Sequence, residues 1–234
     1  MKRVIAGILI LVFVFSFSAC GEKEKVKKLP KGATEDQANY PKRDKNKFIE
    51  NDNETGMIYN FTLDKYTTEF NTMYEKIGGN YKDFPYKMWK KQSSERQSNG
   101  KLYNFYYLKN KYVTLTATEE DESRHIVNVG CGITVKKFNS DENKKSKVMT
   151  ICGIMAAVAG GYTSDDVNFF GNLFADTISA KDNSFWYENC IYIFEKQEAS
   201  NGENTILFRT MPAEKNIQSN WNLIDYKEYW FEKK

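Results

Sequence analysis

Residues 148–159, VMTICGIMAAVA, carry a single hydroxyl and no charge. Such a run must leave water, yet as a helix it covers only about 18 Å at 1.5 Å per residue, short of the roughly 30 Å bilayer core. It therefore predicts a helix buried on all sides within a domain, and the remaining chain has to supply its walls. Gly160-Gly161 stops it, and Thr163-Ser164-Asp165-Asp166 opens a second helix whose Val167, Phe170, Phe174 and Ile178 share a face.

The walls are legible on both sides of this helix. Upstream, Thr62 is placed to cap a helix in which Leu63, Tyr66, Phe70, Met73, Tyr74 and Ile77 recur at spacings of three and four, ended by Gly78-Gly79. Residues 80–100 are polar and read as a long loop with a short turn near Met88-Trp89. Three strands follow at 102–108, 112–119 and 125–135, with turns at 109–111 and 121–123, and Gly130 and Gly132 mark a bulge or close packing under a helix. Downstream, 186–196 and 204–211 predict a hairpin around Ser200-Asn201-Gly202, and the aromatic tail from Asn220 reads as a last strand rather than a packing helix. The sum is an α+β domain at 56–234, an antiparallel sheet or sheets packed with helices. Its order leaves open two related helix-plus-meander halves, 56–140 and 141–234.

At the other end, Lys2 and Arg3 precede an apolar run over 4–15, too short and wrongly flanked for a membrane span, which is the pattern of a secretory signal. The residues that follow, Phe17-Ser18-Ala19-Cys20-Gly21, resemble the lipobox of bacterial lipoproteins, with Phe17 where that family usually has Leu. The resemblance covers residues 1–21 alone. It implies a signal peptide at 1–19, a diacylglyceryl thioether on Cys20, and a domain held at the outer face of the cytoplasmic membrane, with the lipid bilayer as first partner. Two acyl chains hold a protein stably where one binds only reversibly. The Lys, Asn, Tyr and Phe bias is similar to that of low-GC Gram-positive chains. Residues 20–55 then read as a flexible tether: nine basic against eight acidic residues, Pro30 and Pro41, and few large apolar side chains leave too little to bury. Within it, 51–56 (NDNETG) is similar to a calcium loop, but Thr62 stands where the bidentate Glu is required, so a turn is the simpler reading.

Chemistry is harder to find. Of 34 basic residues against 31 acidic, two are lost with Lys2 and Arg3, so the mature chain is near neutral and offers no bulk charge for nucleic acid. His125 is the one histidine, at the start of a predicted strand, and no H-E-x-x-H or C-x-x-C spacing exists; neither a metal site nor a cofactor is expected. Beyond Cys20 there are Cys131, Cys152 and Cys190, an odd number. Cys152 falls on an apolar helical face, and a bridge between Cys131 and Cys190 stays open. Gly160-Gly161 before a helix start does not make an anion site, because Asp165 and Asp166 already occupy the first turn. One positive signal remains. Alternation puts Tyr103, Phe105 and Tyr107 on one strand face and Leu102, Tyr106 and Leu108 on the other; whichever is not core would be an aromatic patch for a protein, peptide or glycan. The expectation is a membrane-anchored extracytoplasmic ligand- or protein-binding domain without a catalytic constellation. The alternative is a cell-surface hydrolase acting on cell-wall material through a carboxylate pair, which would show a deep cleft in place of a shallow aromatic surface.

Overall fold

A computed structural model describes residues 49–52, 56–138, 141–179, 184–198, 204–213, 223–227 and 229; for residues 50–52, 56, 136, 137, 179, 197 and 198 only the backbone is described. The expected signal peptide, Cys20 and most of the expected tether lie outside this range.

Each helix starts and stops where its sequence provides a cap. The Thr62 hydroxyl oxygen accepts the Lys65 N–H at 3.3 Å, opening α1 (Leu63–Lys76) with Asp64 in the first turn and Lys76 in the last, where the helix dipole favours each charge. Its face of Leu63, Tyr66, Thr67, Phe70, Met73 and Tyr74 is buried. The Asp141 side chain accepts the Asn143 N–H at 2.8 Å and opens α3 (Glu142–Gly160), whose first turns are solvated before the apolar run disappears into the core. Gly161, at φ +77°, adopts the left-handed conformation that ends it. The Asp166 carboxylate then accepts both the backbone N–H and the hydroxyl of Thr163 at 2.9 Å, and after a 3-10 turn the chain enters α4 (Val167–Ser179). α3 and α4 meet backbone to backbone: a Cβ added to Gly153 would stand 2.5 Å from the Val167 carbonyl oxygen and 3.0 Å from the Gly171 nitrogen. Val167, Phe170 and Phe174 are buried as their spacing predicts.

Beneath the helices runs one sheet. Its strands are β3 (Lys90–Arg96), β4 (Leu102–Lys109), β5 (Thr114–Glu120), β6 (Ile126–Thr134), β7 (Ser184–Tyr187), β8 (Cys190–Glu198), β9 (Asn204–Pro212) and β10 (Leu223–Asp225), in the order β10-β7-β8-β9-β6-β5-β4-β3. Every neighbour is antiparallel except β10 beside β7. The fold is α+β, as the order of elements predicts. Each helix-plus-meander runs from the outside of the sheet inward, and the two meet at β6–β9. A separate hairpin, β1 (Ile49–Asp52) with β2 (Gly56–Tyr59), lies on the helix side, where the Tyr59 hydroxyl is 3.2 Å from the Thr210 hydroxyl. Ile49, assigned by charge pattern to the tether, is buried in the core. All described helices share this side: Phe174 meets Phe208 at 5.0 Å between ring centroids, and Phe170 meets Tyr192 at 5.9 Å.

Several expectations need correcting. Residues 90–96, KKQSSER, read as loop because they lack an apolar alternation, yet they form β3; an edge strand has solvent beside it and takes lysines there without cost. The third predicted strand stops at Thr134, and Val135 already begins a short helix, α2 (Val135–Phe138). The predicted strand at 186–196 is two strands, because Glu188 and Asn189 both take positive φ (+46° and +61°) and turn β7 into β8 in two residues. The tail gives a three-residue strand that pairs in parallel and then turns helical at Tyr226 and Lys227. The turn at 200–202 lies outside the described residues. A Cys131–Cys190 bridge is ruled out by topology: β9 runs between their strands, which puts them about 9–10 Å apart at closest. The three described cysteines are buried and none forms a disulfide among the described residues, and burial, then the neighbouring Cys131, pushes the Cys152 thiol up.

Candidate functional site

The pleat sends alternate residues of every strand to the side opposite the helices, which no described helix covers. Cross-strand pairing orders them into rows. One runs Lys90, Tyr107, Thr116, Gly130, Arg209, Ile193 from β3 to β8; beside it run Ser93, Phe105 and Thr118, then Glu95, Tyr103 and Glu120. Tyr103, Phe105 and Tyr107 thus do share a face, and it is this uncovered one, while Tyr106 and Leu108 turn under the helices with Ala117 and Leu115. The patch is smaller than the alternation alone suggests. Tyr103 is buried, its hydroxyl accepting the Asn99 Nδ2–H at 3.0 Å, whereas Phe105 and Tyr107 are half-buried.

Next to the aromatics the same face carries the buried Gly130. A Cβ there would stand 2.6 Å from the Thr116 hydroxyl oxygen and 2.9 Å from Arg209 Cγ, so the arginine stem lies across the glycine. Gly130 therefore packs closely, but under side chains of neighbouring strands on the uncovered face rather than under a helix, whereas at Gly132 an added Cβ would meet nothing nearer than the Thr114 carbonyl oxygen at 3.6 Å. Arg209 then pairs through Nη2 with Glu195 on β8, while its Nε–H has no acceptor among the described residues. The combination is half-buried rings and threonine hydroxyls beside a guanidinium already paired with Glu195. The sequence marks the aromatics and the glycines; Thr116, Thr118 and Arg209 join them only through register, although the alternation T-x-T-x-T from Thr114 to Thr118 is the trace that points to them. Toward β7 the same face closes over a small apolar cluster of Ile191, Ile193 and Ala213 with Trp186, Met211 and Leu223.

The buried carboxylates are already engaged. Glu119, on the helix side, is 1% exposed and its Oε1 receives the Arg124 Nε–H at 2.9 Å and the Tyr106 hydroxyl and Asn104 Nδ2–H at 3.4 Å each; Asn104 also donates to Asp121 at 2.7 Å. Burial, then the Glu119 charge, raises the Tyr106 phenol. Glu120 accepts the N–H groups of Glu122 and Ser123 at 3.2 and 2.8 Å; burial pushes it up, but these bonds and the Ser123 hydroxyl prevail and hold its carboxyl below the usual range. Asp176 accepts the Tyr226 hydroxyl at 2.9 Å. His125 sits half-buried in the turn into β6, its carbonyl accepting the Glu120 N–H at 2.9 Å. Among the described residues no group of three or more His, Cys, Asp or Glu is placed to hold a metal ion, and no helix is long and apolar enough to cross a membrane. Comparison with protein-family models, with curated proteins and with solved structures found no match to this chain.

Proposed function

We propose that the chain is a lipid-anchored extracytoplasmic binding protein, fixed by Cys20 to the outer face of the cytoplasmic membrane and presenting the uncovered sheet face to an extended ligand. The observation that supports binding is the patch of half-buried Phe105, Tyr107, Thr116 and Thr118 on the uncovered face: rings to stack on and hydroxyls to orient what stacks. A polymer of hydroxylated rings with flat apolar faces, such as a cell-wall glycan strand, meets both needs. The hydrolase alternative gains less support, because the buried Glu119 is closed off by Asn104, Tyr106 and Arg124.

Two measurements test the two parts. Replacing Cys20 with Ser, or treating cells with globomycin, should release the chain from the membrane fraction; full retention would sink the anchor. Titrating the protein with soluble cell-wall glycan fragments should shift NMR resonances of Phe105, Tyr107, Thr116 and Thr118 first. Shifts confined to other residues, or turnover of the glycan, would refute the binding reading.

A further inference from the structure

The three exposed large apolar side chains of the described residues, Ile77 at 39%, Tyr81 at 50% and Tyr86 at 48%, fall within ten positions of one another. They occupy the link between α1 and β3, built from two one-turn 3-10 helices, Tyr81–Asp83 and Tyr86–Met88. This link is pinned to the body. Phe84, between the two tyrosines, is buried edge-on against Phe70 and Tyr74 at 5.0 and 5.2 Å, and its carbonyl accepts the Asn71 Nδ2–H at 2.9 Å. The Asp83 carbonyl accepts from Asn110 at 3.3 Å, and Trp89 Nε1–H donates to the Thr67 hydroxyl at 2.9 Å. With Phe84 and Trp89 tied inward, Tyr81 and Tyr86 are held outward.

Charge gathers along the same stretch of chain and onto both faces of the β3 edge that follows it. Lys76, Lys82, Lys87, Lys90 and Lys91 are all exposed, against Glu75 and an Asp83 carboxylate that already accepts the Tyr74 hydroxyl at 3.1 Å. Residues 75–91, which hold two of the most exposed rings, thus carry an excess of three positive charges. Tyrosines beside lysines on a fixed ledge are the side chains that settle at the headgroup level of an anionic bilayer, rings at the interface and ammonium groups on the phosphates.

We infer that residues 76–91 form a second membrane contact, which lays this side of the domain on an anionic lipid surface. The inference rests on the surface location proposed above. The tether expected from the sequence would, as a coil over residues 21–48, span roughly 30 Å, short enough to keep the ledge within reach of the bilayer that Cys20 would enter. The lipid alone holds the chain but leaves its orientation free; the ledge sets which side faces the membrane.

The test uses the full lipidated chain carrying Lys87→Cys with a nitroxide label, on vesicles of phosphatidylcholine alone or mixed with phosphatidylglycerol. Cys131, Cys152 and Cys190 are buried and leave position 87 as the labelled site. The label should shift from water-like to lipid-like collision with oxygen and a nickel chelate only on the mixed vesicles. The triple change Lys82→Gln, Lys90→Gln and Lys91→Gln should abolish that shift, and a label at the exposed Asn172 of α4 should stay water-like throughout. A water-like label at position 87 on both lipids overturns the inference. So do lipid-like values at both positions, and so does shielding from both reagents, which would mean that a protein surface such as a second copy covers the ledge. The anchor is judged separately, by flotation on neutral vesicles and the mass of the Cys20 peptide; its failure leaves the label on mixed vesicles to decide the ledge.

Discussion

The two faces of the sheet come from the same strands and differ in what they spend their side chains on. Under the helices the residues are large rings that interlock across elements: Phe170 alone meets Tyr162 at 4.7 Å, Phe169 at 5.2 Å, Tyr192 at 5.9 Å and Tyr187 at 6.0 Å. On the other face the corresponding rows carry Thr116, Thr118, Gly130 and Arg209, with rings on β4 and, toward β7, Trp186. The first arrangement holds the domain together; the second leaves the surface free to be shaped for contact. The difference teaches that aromatic alternation in a strand marks both faces equally, and only what lies above each face decides its role.

Substitutions can break or sharpen this contrast. Phe170→Ala should have the largest effect, costing about 3–5 kcal/mol through the cavity it leaves, read as a fall in the urea midpoint at unchanged slope; a midpoint equal to that of the unchanged protein would remove α4 from the core. Next come two glycines. At Gly153 an added methyl meets the backbone of α4, which has nowhere to go, so Gly153→Ala should cost about 1–3 kcal/mol. At Gly130 the closest atoms are the movable Thr116 hydroxyl and Arg209 stem, with the Phe208 carbonyl at 3.2 Å, so Gly130→Ala should cost less while disturbing the Arg209–Glu195 pair. Equal losses at the two positions would erase the distinction between the faces. Smallest of all, Phe105→Ser and Tyr107→Ser each forfeit a cross-strand pair with Thr118 or Thr116, about 0.2–1 kcal/mol. If either rivals Phe170→Ala in thermal unfolding, the uncovered face is itself core.

How much of this was legible follows from the same contrast. The buried run at 148–159, the Thr62 and Thr163 caps and the Val167-Phe170-Phe174 face all read correctly, because caps and apolar spacing act locally. β3 escaped because an edge strand needs no apolar face, and the Glu188-Asn189 turn because both residues enter the left-handed region without a glycine to announce it. For the site, Tyr103, Phe105 and Tyr107 were placed on a common face by alternation alone, yet the burial of Tyr103 and the arrival of Arg209 beside Gly130 depend on register between distant strands. No local pattern carries that information. The ledge at 76–91 was hidden for a related reason: its polar composition reads as loop until Phe84 and Trp89 are seen to fasten it.

The seam at β6–β9 has a consequence for the order of assembly. It pairs Val129 with Thr210, so the strands that unite the sheet are separated by three helices and two strands of chain. A polypeptide emerging N-terminus first completes α1 and the first meander while the β6 edge, with Cys131 and Ile133, still lacks its neighbour. Closure of that long loop must precede the contacts that stabilise it, which makes the joining of the halves the slow, aggregation-exposed step of folding. The lysine-bearing β3 guards one border of the nascent meander, while the other stays open until β9 arrives with the last eighth or so of the chain.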